Sequence, residues 1–240
     1  MPLYRDEGVV LRTADLGEAD RIITMLTRDH GKIRAVARGV RRLKSRFGGR
    51  LEPFMRVDAL VATGRTFDVI SQVDSIAAYA SSIGGDYALY TAANVIAEAA
   101  DRLIGAEHER ATAQYRLLIG ALAALSRRAH DPVCIADSYV MRALALAGWM
   151  PRLASCVMCG EPIGSPAFLS VSSGGVMCVS DRAADAHRVD AGTLAAFRAL
   201  VDGDWRVLDG GPLPSAAHRL VEEWSEYYLE RPIRSLRLLD

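Results

Sequence analysis

The sequence predicts an α+β protein: a small closed β-barrel, then an α-helical part that carries a cysteine-bearing insert. Three observations predict it. Alternating polar and apolar runs, bounded by glycines or polar connectors, fill roughly the first 75 residues. Alanine-rich helical periodicity takes over from about Asp74. That pattern is broken between Met150 and Asp190 by a segment rich in Gly, Pro and Ser, which holds three of the four cysteines.

The strands follow in order. Tyr4–Thr13 is the first, and Ala14–Asp20 is a polar connector to Arg21–Arg28. Asp29-His30-Gly31 makes a tight turn whose glycine suits a left-handed residue. In the next strand Lys32, Arg34 and Arg38 share one face while Ile33, Ala35 and Ala37 share the other, as a period of two requires. After a loop, Pro53 opens a strand through Thr63, and Thr63-Gly64-Arg65 turns into Phe67–Val73. Five short antiparallel strands make a poor open sheet, because its edges would stay unpaired. They are the right number for a closed barrel of the oligonucleotide-binding (OB) kind.

Helices are expected at Asp86–Ile104, Glu109–Arg128 and Pro132–Ala147. The last has Asp131 as its cap, Pro132 at its first position and Gly148 at its end. Helices resume at Ala191–Val201 and Ser215–Glu230, with Pro232 as the stop. The expected domains are therefore a barrel at 1–75, a helical domain at 76–150 and 190–240, and a cysteine insert at 151–189. Apolar stripes such as Leu117, Leu118, Leu122 and Leu125, and Leu144 with Leu146, read as helix faces packed into a core.

Half of the 240 residues are hydrophobic and 24% are charged, which excludes a disordered chain. No apolar run reaches the roughly 20 residues a bilayer requires. Charges stand in MPLYRDEGVV where a signal peptide needs an apolar stretch, so a cytosolic protein with reduced thiols is expected. The net charge is zero, yet it is distributed unevenly: residues 1–76 hold 14 basic and 10 acidic side chains, the remainder 15 and 19. Between His30 and Leu51 stand Lys32, Arg34, Arg38, Arg41, Arg42, Lys44, Arg46 and Arg50, without one acidic residue. A cationic loop on a small barrel is a natural seat for a polyanion with a regular phosphate repeat. These eight residues are the candidate phosphate contacts, and the alternative is a merely solvated basic loop. Phe47 either stacks on a base or packs beneath the loop. Arg12 extends the track or pairs with Asp15 or Glu18.

Cys156-x2-Cys159 and Cys178-x2-Asp181, separated by 18 residues, form a zinc-ribbon pattern. Two-residue gaps let paired donors bend around one ion, and thiolates favour zinc. The fourth donor is Asp181, with His187 the alternative. The plain reading is three unligated cysteines in a loop. Cys134, alone in an apolar helix, reads as a small buried hydrophobe. No phosphate loop, nucleophile elbow or zincin motif is present. Glu107-His108-Glu109 lacks a zincin's second histidine, and His30, His108, His130 and His218 read as isolated polar or turn residues.

Tyr4-Arg5-Asp6-Glu7-Gly8-Val9-Val10-Leu11, Gly17-Glu18-Ala19-Asp20-Arg21-Ile22-Ile23 and His30-Gly31-Lys32 are followed by Ala37-Arg38-Gly39-Val40-Arg41-Arg42, Lys44-Ser45-Arg46-Phe47-Gly48-Gly49 and Leu51-Glu52-Pro53-Phe54. In this order, with the late cysteine insert, the chain resembles the RecO family of bacterial recombination mediators over its whole length. The family commonly has four cysteines in that insert, and here Asp181 replaces the fourth. The resemblance implies a non-enzymatic, nucleoid-associated protein that binds single- and double-stranded DNA and anneals complementary strands. It also implies work with RecR, and often RecF, that helps RecA displace single-strand binding protein. The implied fold is an OB barrel on a helical domain with a zinc-finger-like insert. The competing readings are an RNA-binding barrel protein and a zinc-dependent hydrolase.

Overall fold

The computed structural model describes residues 2–164 and 166–239. Five strands, β1 (Leu3–Leu16), β2 (Asp20–Thr27), β3 (Gly31–Ala37), β4 (Met55–Ala62) and β5 (Asp68–Ala78), close a barrel in the order β1-β2-β3-β5-β4. All pairings are antiparallel except β3 with β5, which run parallel at Ala35–Asp68 and Val36–Val69. The result is an OB-like barrel, as the strand count predicts. β1 is longer than the sequence suggested, because its first part pairs with β4 and its second with β2, with a register shift between Val10 and Arg12. Much of the expected connector after Thr13 is therefore strand.

Alternation sends Ile23, Met25, Ile33, Val57 and Ile70 into the barrel. The segment joining β3 to β4 contains a single 3-10 turn, Gly48–Leu51, and contributes Phe47 and Leu51 to the same core. Both are 1% exposed.

Three helices follow: α1 (Tyr79–Ile83), α2 (Tyr87–Leu103) and α3 (Thr112–Ser126). The Asp86 carboxylate caps α2 by accepting from the N–H groups of Ala88 and Leu89. The α2–α3 connector lies along β3: the His108 N–H donates to the Lys32 carbonyl at 2.9 Å. Gly31 has φ +66, and a Cβ there would sit 1.8 Å from the Glu109 carbonyl oxygen. This close approach requires glycine.

The chain divides into two compact units, Met1–Ala129 and His130–Asp240. The helices expected to form one domain are thus shared between them, because α2 and α3 pack with the barrel through contacts such as the Tyr115 hydroxyl donating to Glu7.

The second unit begins with α4 (Pro132–Leu146), where Asp131 accepts from the N–H groups of Val133 and Cys134 and Pro132 opens the first turn. Cys134 is 2% exposed, as its apolar neighbours implied. Three short strands, β6 (Ala167–Ser170), β7 (Gly175–Met177) and β8 (His187–Val189), form a sheet in the order β7-β6-β8. Then come α5 (Ala191–Asp202), α6 (Trp205–Leu208) and α7 (Ser215–Leu229). Phe197, Tyr139 and Trp224 are fully buried, and the Trp224 indole donates to the Trp149 carbonyl at 3.0 Å. The leucine stripes are core at Leu118, Leu122, Leu125 and Leu144, whereas Leu146 is half exposed. Among the described residues no helix is long and apolar enough to cross a membrane.

Candidate nucleic-acid interface and metal centre

The eight basic residues of the second and third strands' neighbourhood fall into two groups. The first lies on the outer face of β3 and is engaged by carboxylates. Lys32 is 8% exposed, and its Nζ donates to the Asp101 carbonyl at 2.8 Å and to the Asp101 carboxylate at 3.2 Å. Arg34 donates through Nε to Glu107 and covers the Phe67 ring at 5.3 Å. The end of α2 and the following connector thus neutralise the strand that sequence periodicity marked as a basic face. Lys32 is corrected accordingly: two of its ammonium's three donors are bonded to Asp101, and burial keeps the group from presenting itself to a phosphate. Arg12 pairs with the same Asp101 carboxylate at 2.6 Å, instead of with Asp15 or Glu18.

The second group lies on the β3–β4 loop, which leaves the barrel at Ala37. Arg38, Arg41, Arg42, Lys44, Arg46 and Arg50 are all exposed. Arg41 bonds the Gly17 carbonyl at 3.2 Å and faces Asp15 at 3.3 Å, and its own N–H donates to Ala19, so the loop is fastened to the β1–β2 hairpin. Gly39 N–H donates to Asp20 at 2.7 Å, a second tie to the same hairpin. Arg46 covers the Phe47 ring at 4.8 Å, and Arg50 donates to the Arg46 carbonyl at 3.2 Å. Among the described residues, Arg38, Arg42, Lys44, Arg46 and Arg50 have no carboxylate partner. Phe47 is corrected as well: its ring is closed inside the barrel core and presents no face to a base.

These cations are held at one end of the barrel by a loop whose inner side chains are core and whose outer ones are charged. Fixed positive side chains on a rigid base release condensed counterions when they meet a phosphate chain, without reading its sequence. Sequence reasoning passed over Asp101 and Glu107, which lie 69 and 73 residues from their partners. It also passed over Leu43, an apolar side chain at full exposure (107%) between Arg42 and Lys44.

In the second unit, Cys156, Cys159, Cys178 and Asp181 come together with all four ligand atoms within 4.8 Å of one another. Cys159 and Cys178 sulfurs are 3.9 Å apart, and Asp181 Oδ2 lies 3.1 Å from the Cys178 sulfur and 3.9 Å from that of Cys156. Tetrahedral bonds of about 2.3 Å separate two sulfurs by about 3.8 Å, which the Cys159–Cys178 distance matches. β7 delivers Cys178 to one side. On the other, Gly160 at φ +80 turns the chain directly after Cys159. Backbone N–H groups of Cys159 and Cys178 aim at the Cys156 sulfur and pull its thiol down to about 7. Cys159 goes the other way: the backbone of Glu161 works to lower it, but Asp181 and Cys156 push it up to about 12. Thiol donors from Cys178 and Cys159 hold the Asp181 carboxyl below the usual range. Four anionic donors this close repel unless protons or a cation stand between them, and this set can hold a metal ion. His187 is elsewhere: its Nε2 is 4.0 Å from Glu223, and Asp181 occupies the fourth place.

The histidines are not isolated. His30 Nδ1 lies 2.8 Å from buried Asp6 with its ring stacked on Tyr4, and His218 Nδ1 lies 2.7 Å from fully buried Asp137. His130 stacks on Trp205 and bonds Asp209 at 2.9 Å, while His108 lies 3.8 Å from Asp68.

Comparison with known proteins accords with this arrangement. The family model "Recombination protein O N terminal" matches residues 1–79, and "Recombination protein O C terminal" matches residues 84–237. The chain is 67% identical over 240 residues to the DNA repair protein RecO of Bifidobacterium longum subsp. infantis, covering 100% of each. It is 43% identical to the DNA repair protein RecO of Thermobifida fusca over 242 residues, covering 100% of this chain and 99% of that one. With its counterpart from Cutibacterium acnes it shares 44% identity over 253 residues, with complete coverage of both.

Proposed function

This chain belongs to the RecO family of DNA repair and recombination proteins, and from that premise we propose that its β3–β4 loop is the surface that receives DNA phosphates. The observation that carries the reading is the set of exposed loop cations, Arg38, Arg42, Lys44, Arg46 and Arg50, which have no carboxylate partner among the described residues. Arg41 joins them at the cost of a solvent-exposed pair with Asp15, a weak competitor for a phosphate. Arg34 lies at the margin, half exposed and shared with Glu107.

On this reading the protein is a non-enzymatic mediator. It binds single- and double-stranded DNA through the backbone, and brings complementary strands together by lowering the repulsion between two phosphate chains. With RecR, and with RecF where present, it assists RecA on DNA covered by single-strand binding protein. The barrel is its DNA-binding domain. The cysteine insert holds a structural Zn2+ on Cys156, Cys159, Cys178 and Asp181. A closed set of four protein donors leaves no open coordination position for a reacting water, which favours a structural ion over a hydrolytic one.

The test is the salt dependence of single-strand affinity. Replacing Arg38, Arg42, Lys44 and Arg46 together by alanine should weaken binding and flatten the plot of log K against log salt by about 3, at roughly 0.7 per lost phosphate contact. An unchanged slope would place the site elsewhere. Competition with a matched RNA oligonucleotide, scored beside strand annealing, separates this function from RNA binding.

A further inference from the structure

Leu43 is the most exposed large apolar side chain among the described residues, at 107% of its reference area. It stands at the outer turn of the β3–β4 loop, between Arg42 and Lys44. The loop buries its other large apolar groups: Phe47 and Leu51 are in the barrel core, and Val40 packs against it. Leu43 is thus left out of a core that had room for three neighbours from the same segment. A second apolar side chain, Leu16, is 39% exposed at the tip of the β1–β2 hairpin. The backbone bond from Arg41 to Ala19, the Arg41 contact with Gly17 and the Gly39 contact with Asp20 fasten that hairpin to the loop. One end of the barrel therefore carries two exposed apolar side chains, and Leu43 is the one flanked by cations, Arg42 and Lys44.

We infer that Leu43 is a wedge that enters the base stack of DNA where a duplex opens into single strands, so that the loop selects such junctions over continuous duplex. The inference rests on the loop being the phosphate-binding surface. The chemistry follows from the juxtaposition. Arg42 and Lys44 flank Leu43 in sequence, so phosphates bound by them bring the leucine to the bases attached to those phosphates. An apolar side chain gains nothing from a phosphate, but it gains from a base face or an opened base step. A fork already has unstacked bases at its branch point, so insertion costs less there than within a continuous duplex. Charge complementarity favours a nucleic acid over an apolar protein groove as the occupant: Arg42 and Lys44 beside Leu43 have no carboxylate partner among the described residues, and the nearby hairpin carboxylates Asp15 and Asp20 are engaged by Arg41 and the Gly39 N–H.

The experiment places 2-aminopurine at the branch point of a forked duplex and measures its fluorescence and the fork-to-duplex affinity ratio on adding the full chain. The natural chain should raise the fluorescence. Leu43→Ser should lose the rise and about tenfold of the fork preference. Leu43→Met, which keeps an apolar tip, should retain both. Leu43 has no core contacts to lose, and the salt slope of each variant reports whether the loop still meets phosphates. If Leu43→Ser gives the same fluorescence and the same ratio while the four-alanine loop variant loses its slope, the wedge is wrong and the phosphate surface stands. If the loop variant keeps its slope, the surface itself is wrong and the wedge falls with it.

Discussion

The Lys32 ammonium bonds both the carbonyl and the carboxylate oxygens of Asp101, at 2.8 and 3.2 Å, and so ties β3 to the end of α2. Its position in the basic run would suggest a phosphate ligand, whereas its environment makes it a structural brace. Replacing Lys32 by Met should cost about 1–2 kcal/mol of stability, since Asp101 keeps Arg12 as a partner. The salt slope of DNA binding should not change. Chemical denaturation and a binding titration on the same variant check both halves, and a flattened slope would return Lys32 to the interface.

Phe47 offers a parallel separation. Phe47→Ala should cost about 3–5 kcal/mol by opening a cavity in the barrel core. Phe47→Leu should cost about 1–1.5 kcal/mol and leave single-strand affinity intact, because the ring touches no base. Loss of affinity in Phe47→Leu without loss of stability would revive the stacking role.

Glu7 gives the first unit an acid response. Burial alone would raise its carboxyl, but the Tyr115 hydroxyl and then Arg56 outweigh burial and hold it below the ordinary 4.5. A carboxylate depressed in the folded state contributes stability that is complete above the unfolded value and lost as pH falls through the folded one. The opening free energies that hydrogen exchange reports in β1, β4 and α3, taken relative to intrinsic exchange rates, should therefore fall below about pH 4.5, more steeply in the natural chain than in Glu7→Gln. Equal slopes in the two proteins would remove Glu7 as the cause.

Metal removal should act on the second unit. Protein purified without added zinc should carry about one equivalent by elemental analysis, and a chelator should lower the melting temperature of that unit. Restoring free zinc to about 100 times its Kd should return about 2.7 kcal/mol. Asp181→Ala should weaken retention and Asp181→Cys strengthen it, since thiolate suits zinc better than carboxylate does. Full stability without metal would leave the cluster as three ordinary thiols.

Much of this architecture was legible in the sequence, for physical reasons. Inward alternation in β4, with Met55, Val57, Ala59 and Val61 buried, follows from the pleat alone. The starts of α2 and α4 follow from Asp86 and Asp131, whose carboxylates satisfy the first free N–H groups. The two short-spaced donor pairs, Cys156 with Cys159 and Cys178 with Asp181, announced their own convergence. What escaped were the pairings that depend on distant chain. Nothing local to Lys32 announces Asp101, and nothing local to His218 announces Asp137, 81 residues earlier. The three strands of the cysteine insert span only three or four residues each, too few for a period to show. A charged residue on a strand's outer face reads the same whether solvent or another helix covers it.

The acidic cover over β3 bears on how this protein should be cut for study. A fragment ending near residue 79, where the N-terminal family match stops, would strip away Asp101 and Glu107 and leave Lys32, Arg34 and Arg12 without their counter-charges. Such a truncated barrel would bind polyanions along a face that the intact molecule keeps paired with carboxylates, and its affinity would overstate what the protein does. Trimming after Ala129 retains the cover.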